Sequence, residues 1–172
     1  FGFGNHKIEP RFEADVVALQ KGTTSGISKC LATECRARAD AFVTHEVVIN
    51  EIMADPFGDD TYQEWIELYN PGNAPINLAG WAMRDCGDQV FLLAGPEASI
   101  AAKGYLLVGM TRDRQDNGDV DVGIEYGVNG FYLPNTLGAV LLYNGADGQA
   151  TLVDQTRYSR FDPVDVFFSG KS

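Results

Sequence analysis

The sequence predicts an all-β sandwich, and three observations carry that expectation. The stretch from Val47 to Gly80, VVINEIMADPFGDDTYQEWIELYNPGNAPINLAG, reads as an apolar strand, an acidic loop, a second apolar strand, an Asn-Pro-Gly turn and a third short strand. Further strand-like segments follow at sandwich spacing. Apolar residues make up 45% of the chain, enough for a real core, with no run long enough to cross a membrane.

Residues 1–45 differ in character and are read as an N-terminal extension or arm. FGFGNHK is aromatic and glycine-rich, a poor helix former. RFEADVVALQ (Arg11 to Gln20) suits a strand or a short helix, and periodicity does not decide between them. KGTTSGIS is a loop by composition, and LATECRARADAF (Leu31 to Phe42) favours a short helix. The arm reads as a linker, as an extra strand on its own sandwich, or as a strand added to the edge of a neighbouring molecule. The apolar start puts Phe1 and Phe3 among the candidate interface residues.

The sandwich elements follow in order. In the first strand Val47 and Ile49 are expected on one face, with Val48 and Ile52 on the other. In the second, Ile66 and Leu68 alternate with Trp65, Glu67 and Tyr69, the period of a strand with one face in a core. Asn70-Pro71-Gly72 supplies the turn, because proline presets φ and glycine tolerates positive φ. Gly80 to Asp85 and Gln89 to Ala94 read as strands. Gly104 to Met110 alternates Leu106, Val108 and Met110 against Tyr105 and Leu107, apolar on both sides and therefore central. Gly138 to Asn144 reads the same way. Asn144-Gly145 and Asp147-Gly148 offer hairpin turns before a return strand over Gln149 to Ser159. Residues 161–172 form a C-terminal strand or tail in which Val164, Val166 and Phe168 alternate.

NEIMADP, EWIELYNPG and INLAGWAMRD, followed by GYLLVG, GAVLLYNGADG and LVDQTRYS, resemble the lamin tail domain as found in secreted bacterial proteins. The resemblance covers residues 46–160. It implies an immunoglobulin-like β-sandwich that serves as a scaffold for different tasks and carries no catalytic motif to transfer.

The net charge of -11 and pI near 4.4 argue against binding nucleic acid through its phosphates. They suit an extracellular or cell-surface protein. Cys30 and Cys35 enclose four residues, a loop that closes as a disulfide in an oxidising compartment, while Cys86 is left over.

Recognisable catalytic templates are missing from the sequence. It has no Gly-x-Ser-x-Gly elbow, phosphate loop or His-Glu-x-x-His, and its two histidines, His6 and His45, lie near no nucleophile motif. Twenty-four acids make carboxylate pairs easy to find and uninformative. The chain is therefore read as non-enzymatic, with no required cofactor. Calcium is the leading candidate ion, ahead of a zinc site from Cys30, Cys35, His6 and His45 that lacks paired spacing. RDRQDNGDVD, a second acidic loop, places Asp113, Asp116, Asn117, Asp119 and Asp121 around a glycine, oxygen ligands of the right type without EF-hand spacing. The loop GVNGFYLP presents Phe131, Tyr132 and Leu133 together, a candidate protein contact if exposed. Phe167 and Phe168 are a second candidate in the tail.

The expected function is a structural or adhesive surface module whose partners are other protein chains, copies of itself included. The alternative is an accessory domain of a secreted hydrolase that recognises a glycan or protein surface.

Overall fold

The computed structural model describes residues 44–57, 60–85, 89–128 and 130–159. These contain β1 (Val48–Met53), a helical turn α1 (Asp60–Gln63), β2 (Trp65–Tyr69), β3 (Ile76–Asn77), β4 (Ala82–Arg84), β5 (Val90–Leu92), β6 (Ser99–Ile100), β7 (Tyr105–Gly109), β8 (Ile124–Glu125), β9 (Leu137–Tyr143) and β10 (Leu152–Ser159). One sheet has the order β1-β2-β7-β8, antiparallel except for the β7–β8 pair. The second has the order β10-β9-β4-β5 and is antiparallel throughout. β3 and β6 form a separate two-stranded ladder. This is the immunoglobulin-like sandwich expected from the sequence.

The core lies between the two sheets. Ile52, Ile66 and Leu68 from the first sheet join Met83, Val140 and Leu142 from the second in one apolar cluster. Period-2 alternation produces this directly in β2, where Ile66 and Leu68 are buried while Trp65, Glu67 and Tyr69 are half-buried on the opposite face. β7 behaves as expected, with Leu106 and Val108 buried, Tyr105 outside, and a neighbouring strand on each side. Trp81 also packs in the core.

The first strand departs from the expected pattern. Ile49 and Ile52 are both buried, although strict alternation puts them on opposite faces. The register explains why: Ile49 pairs with Leu68 and Glu51 with Glu67, so Asn50 is an extra residue at a β-bulge. The bulge resets the alternation by one and returns Ile52 to the core.

The Asn-Pro-Gly turn is anchored by a buried side chain. Asn70 is fully buried; its amide donates to the carbonyls of Ala74 (2.8 Å) and Ala101 (3.0 Å), and its Oδ1 accepts from Gly72 N at 2.8 Å. Asparagine here is as much a tie to the β6–β7 connection as a turn residue. Across the β9–β10 pair, Gly138 faces Tyr158, whose ring occupies the space a Cβ would need. Strands β6 and β8 carry no signal in the sequence, since two residues cannot display a period. Near the start of the described residues, the His45 amide donates to Val153 O at 2.9 Å.

Candidate interaction surfaces

The second sheet ends at β5, which has only β4 beside it among the described strands. Its sequence, Val-Phe-Leu, is wholly apolar. Phe91 turns inward, packing edge-on against Tyr126 at 6.0 Å, and Tyr126 meets Phe131 in the same manner at 5.9 Å. Val90 and Leu92 point the other way and are 44% and 49% exposed. An apolar strand whose outer backbone groups have no described partner is a template for pairing with another chain.

A loop segment is pinned beside this edge by Gln89. Tyr132 N donates to Gln89 Oε1 at 3.0 Å and Gln89 Nε2 donates back to Tyr132 O at 3.4 Å, so the side-chain amide imitates one rung of a strand. Asp85 holds the amide from the other side through Oδ2 at 3.0 Å. The next amide, Leu133 N, donates to the buried Glu64 carboxylate at 2.9 Å. Burial, and then the charge of Glu64, raises the Tyr126 hydroxyl well above an ordinary tyrosine.

These anchors correct the expectation for Phe131, Tyr132 and Leu133. Phe131 and Leu133 are 2% and 1% exposed and belong to the core, so neither offers a contact surface. Tyr132, 52% exposed, is the one member of the trio at the surface. Nothing in the sequence marks Gln89 or Glu64 as the residues that hold this loop, because their partners are backbone groups more than forty residues away.

The second acidic loop is held together by its own side chains. Asn117 is buried; its amide donates to Thr111 O (2.9 Å) and Val120 O (3.0 Å), and its Oδ1 accepts from Val120 N at 2.9 Å. Asn117, expected as an oxygen ligand, closes the loop with both ends of its side-chain amide. Arg114 Nε bonds Asp119 Oδ1 at 2.8 Å, and its Nη1 lies 3.6 Å from Asp121. Asp113 caps the turn by accepting from Gln115 N, and Asp116 accepts from Gln63 through its backbone. Among the described residues, no three His, Cys, Asp or Glu side chains converge in a metal-holding group.

A further surface is the outer face of the first sheet. Tyr69 and Tyr105 stack there at 4.7 Å between ring centroids, with Tyr105 57% exposed. Trp65 lies four residues from Tyr69 along β2, and between them sits Glu67, directly opposite Glu51 on β1. Trp65 and Tyr69 share this face of β2. Trp81 and Tyr126 are buried in the core.

The candidate disulfide Cys30–Cys35, the leftover Cys86 and the candidate contacts Phe1, Phe3, Phe167 and Phe168 lie outside the described residues. No described helix is long and apolar enough to cross a membrane.

No curated protein matches the sequence significantly. The family model described as Lamin Tail Domain matches residues 41–160, the span that contains both sheets and every surface described above. The match covers most of the chain and agrees with its two-sheet architecture: the chain belongs to the lamin tail domain family.

Proposed function

We propose that this chain is a non-enzymatic structural or adhesive module, working outside the cell or at its surface, that binds other protein chains, copies of itself included. The family is immunoglobulin-like and non-catalytic, which supports a binding role in its coarse form. The observation that carries the proposal is the β5 edge, where Val90 and Leu92 stay exposed beside a row of backbone groups with no strand partner among the described residues. Edge-to-edge pairing would satisfy those groups and bury the two side chains together. The surface location rests on the resemblance to secreted proteins and on the close spacing of Cys30 and Cys35.

Sedimentation of the intact chain from micromolar to near-millimolar concentration tests self-association. Growth in mass with concentration is the expected result, and a monodisperse monomer throughout would remove the self-associating version. Mass analysis of the native protein with and without reductant tests the Cys30–Cys35 bridge and, through it, the oxidising compartment.

A further inference from the structure

The outer face of the first sheet sets two opposed carboxylates among apolar and aromatic side chains. Glu51 and Glu67 are directly opposed on antiparallel strands, an arrangement in which like charges repel. Asn50, the bulged residue, donates to Glu67 Oε1 at 2.6 Å, and among the described residues Glu51 has no such donor. Strands β1, β2, β7 and β8 contain the glutamates 51, 67 and 125 and not one lysine or arginine. Four acids off this sheet have a basic partner: Arg114 bridges Asp119 and Asp121, Arg112 meets Glu97 at 3.1 Å, and His45 meets Asp154 at 3.2 Å. Glu125 accepts the Arg112 amide.

Apolar surface flanks the uncompensated pair on both sides. Along the register, Val48, Tyr69 and Tyr105 form one row, Glu51, Glu67 and Leu107 the next, and Met53 and Trp65 a third. The Tyr69–Tyr105 stack lies in the row next to the carboxylates. Tyrosine rings attract cations and cover the apolar stems of long basic side chains. Partial burial, and then the charge of Glu67, raises the Glu51 carboxyl above its ordinary value, as expected for an acid that lacks a cation.

We propose that this face docks a lysine- or arginine-bearing extended segment of a partner protein, with a cationic head group between Glu51 and Glu67 and the adjoining stem on the Tyr69–Tyr105 stack. Charge decides against the other occupants. A second copy, at net charge -11, is repelled from this acidic face over the long range, and a neutral glycan would leave the glutamates unmatched. The inference rests on reading the chain as a protein-binding module and names the partner chemistry of a second surface, distinct from the β5 edge.

The test uses the full chain and a peptide of alternating lysine and valine, with a glutamate-for-lysine peptide and cellohexaose as comparisons. Nuclear magnetic resonance shifts on adding the lysine peptide should centre on Glu51, Glu67, Tyr69 and Tyr105. Glu51→Gln with Glu67→Gln should weaken binding about tenfold, the scale of losing a close charge pair. Tyr105→Ala should also weaken it. The control variant Asp113→Asn with Asp116→Asn removes the same charge elsewhere and should leave affinity unchanged. Equal loss in both double variants, shifts centred away from this face, no binding of the lysine peptide, or cellohexaose binding here in its place would each overturn the inference. Those outcomes leave the sedimentation result untouched, so the module reading stands or falls separately.

Discussion

Asp154 accepts a hydrogen bond from the Ile49 amide at 2.7 Å across 105 residues of chain, joining the last strand of one sheet to the first strand of the other. The carboxylate is buried, and desolvation raises its pKa above the ordinary aspartate value, against the opposing pull of the Ile49 and Gln155 amides and of His45. The folded chain therefore holds this proton more tightly than the unfolded chain does. Its stabilising contribution is complete below the unfolded value of about 3.9 and is lost as pH rises through the folded value. Asp154→Asn keeps an acceptor for Ile49 N but does not titrate. Urea unfolding across a pH series should show wild-type stability falling relative to Asp154→Asn within that window and running parallel above it. Asp154→Ala orphans the Ile49 amide and should cost about 1–3 kcal/mol at any pH.

The bulge in β1 predicts an asymmetry between deletion and insertion. Deleting Asn50 places Ile49 next to Glu51 and restores strict alternation, with Ile49 and Ile52 both inward on their present partners. Its effect on stability should stay within about 1 kcal/mol, the range of changes that leave the core intact. Inserting an alanine between Glu51 and Ile52 turns Ile52 outward and should cost about 2–5 kcal/mol, as truncation of a buried isoleucine does. Thermal melts of both variants distinguish the two.

The contrast between β2 and its neighbours shows which parts of the fold are legible in the sequence. Ile66 and Leu68 alternate with polar-faced positions, and this local period alone places them in the core. The Asn50 bulge is invisible locally, because register is a property of two strands and the sequence displays one at a time. The edge status of β5 is hidden for a similar reason: Val-Phe-Leu reads as a buried strand whether one neighbour flanks it or two. The same holds for the loop at Phe131, where alternation in and out of the core arises from anchors at Gln89 and Glu64 and not from any regular element. The role of Asn117 in closing its loop is not legible in the sequence, because a carbonyl that binds calcium and one that closes a turn belong to the same residue type.

Three consecutive residues of that loop should respond differently to truncation. Phe131→Ala removes a fully enclosed ring and should cost about 3–5 kcal/mol, and Leu133→Ala about 2–5 kcal/mol. Tyr132→Ala should change stability by no more than about 0.5 kcal/mol, since its side chain is exposed and its anchoring bonds are made by the backbone. Denaturant midpoints for the three variants check this ordering; an equal loss at Tyr132 would mean that its ring is part of the packed structure.

The second acidic loop should depend on Asn117 and not on calcium. Asn117→Ala orphans the Val120 amide and two carbonyls and should cost about 1–3 kcal/mol. Calcium at millimolar concentration should leave the melting temperature of the wild-type chain unchanged, because Asn117 is committed to the loop and Arg114 lies against Asp119 and Asp121. A rise in melting temperature with calcium, abolished by Asp116→Asn or Asp121→Asn, would restore the loop as a cation site.

The β5 edge makes the sharpest prediction about assembly. Leu92→Lys places a charge on an exposed position of an edge strand, a device by which natural sheets discourage pairing with other chains. Stability should change by no more than about 0.5 kcal/mol, because the leucine side chain faces water and the strand's bonds to β4 are made by the backbone. Self-association should fall by about tenfold or more, since a desolvated ammonium would replace a buried leucine in the pair. Salt gives an independent signature. Two chains of net charge -11 repel, so association through an apolar edge should strengthen as added salt screens that repulsion over about 8–10 Å. Binding of a basic peptide to the Glu51–Glu67 face should weaken under the same conditions. Sedimentation and peptide titration at two ionic strengths would separate the surfaces by the sign of their response; a salt effect of the same sign on both would refute the assignment of one surface to apolar pairing and the other to charge.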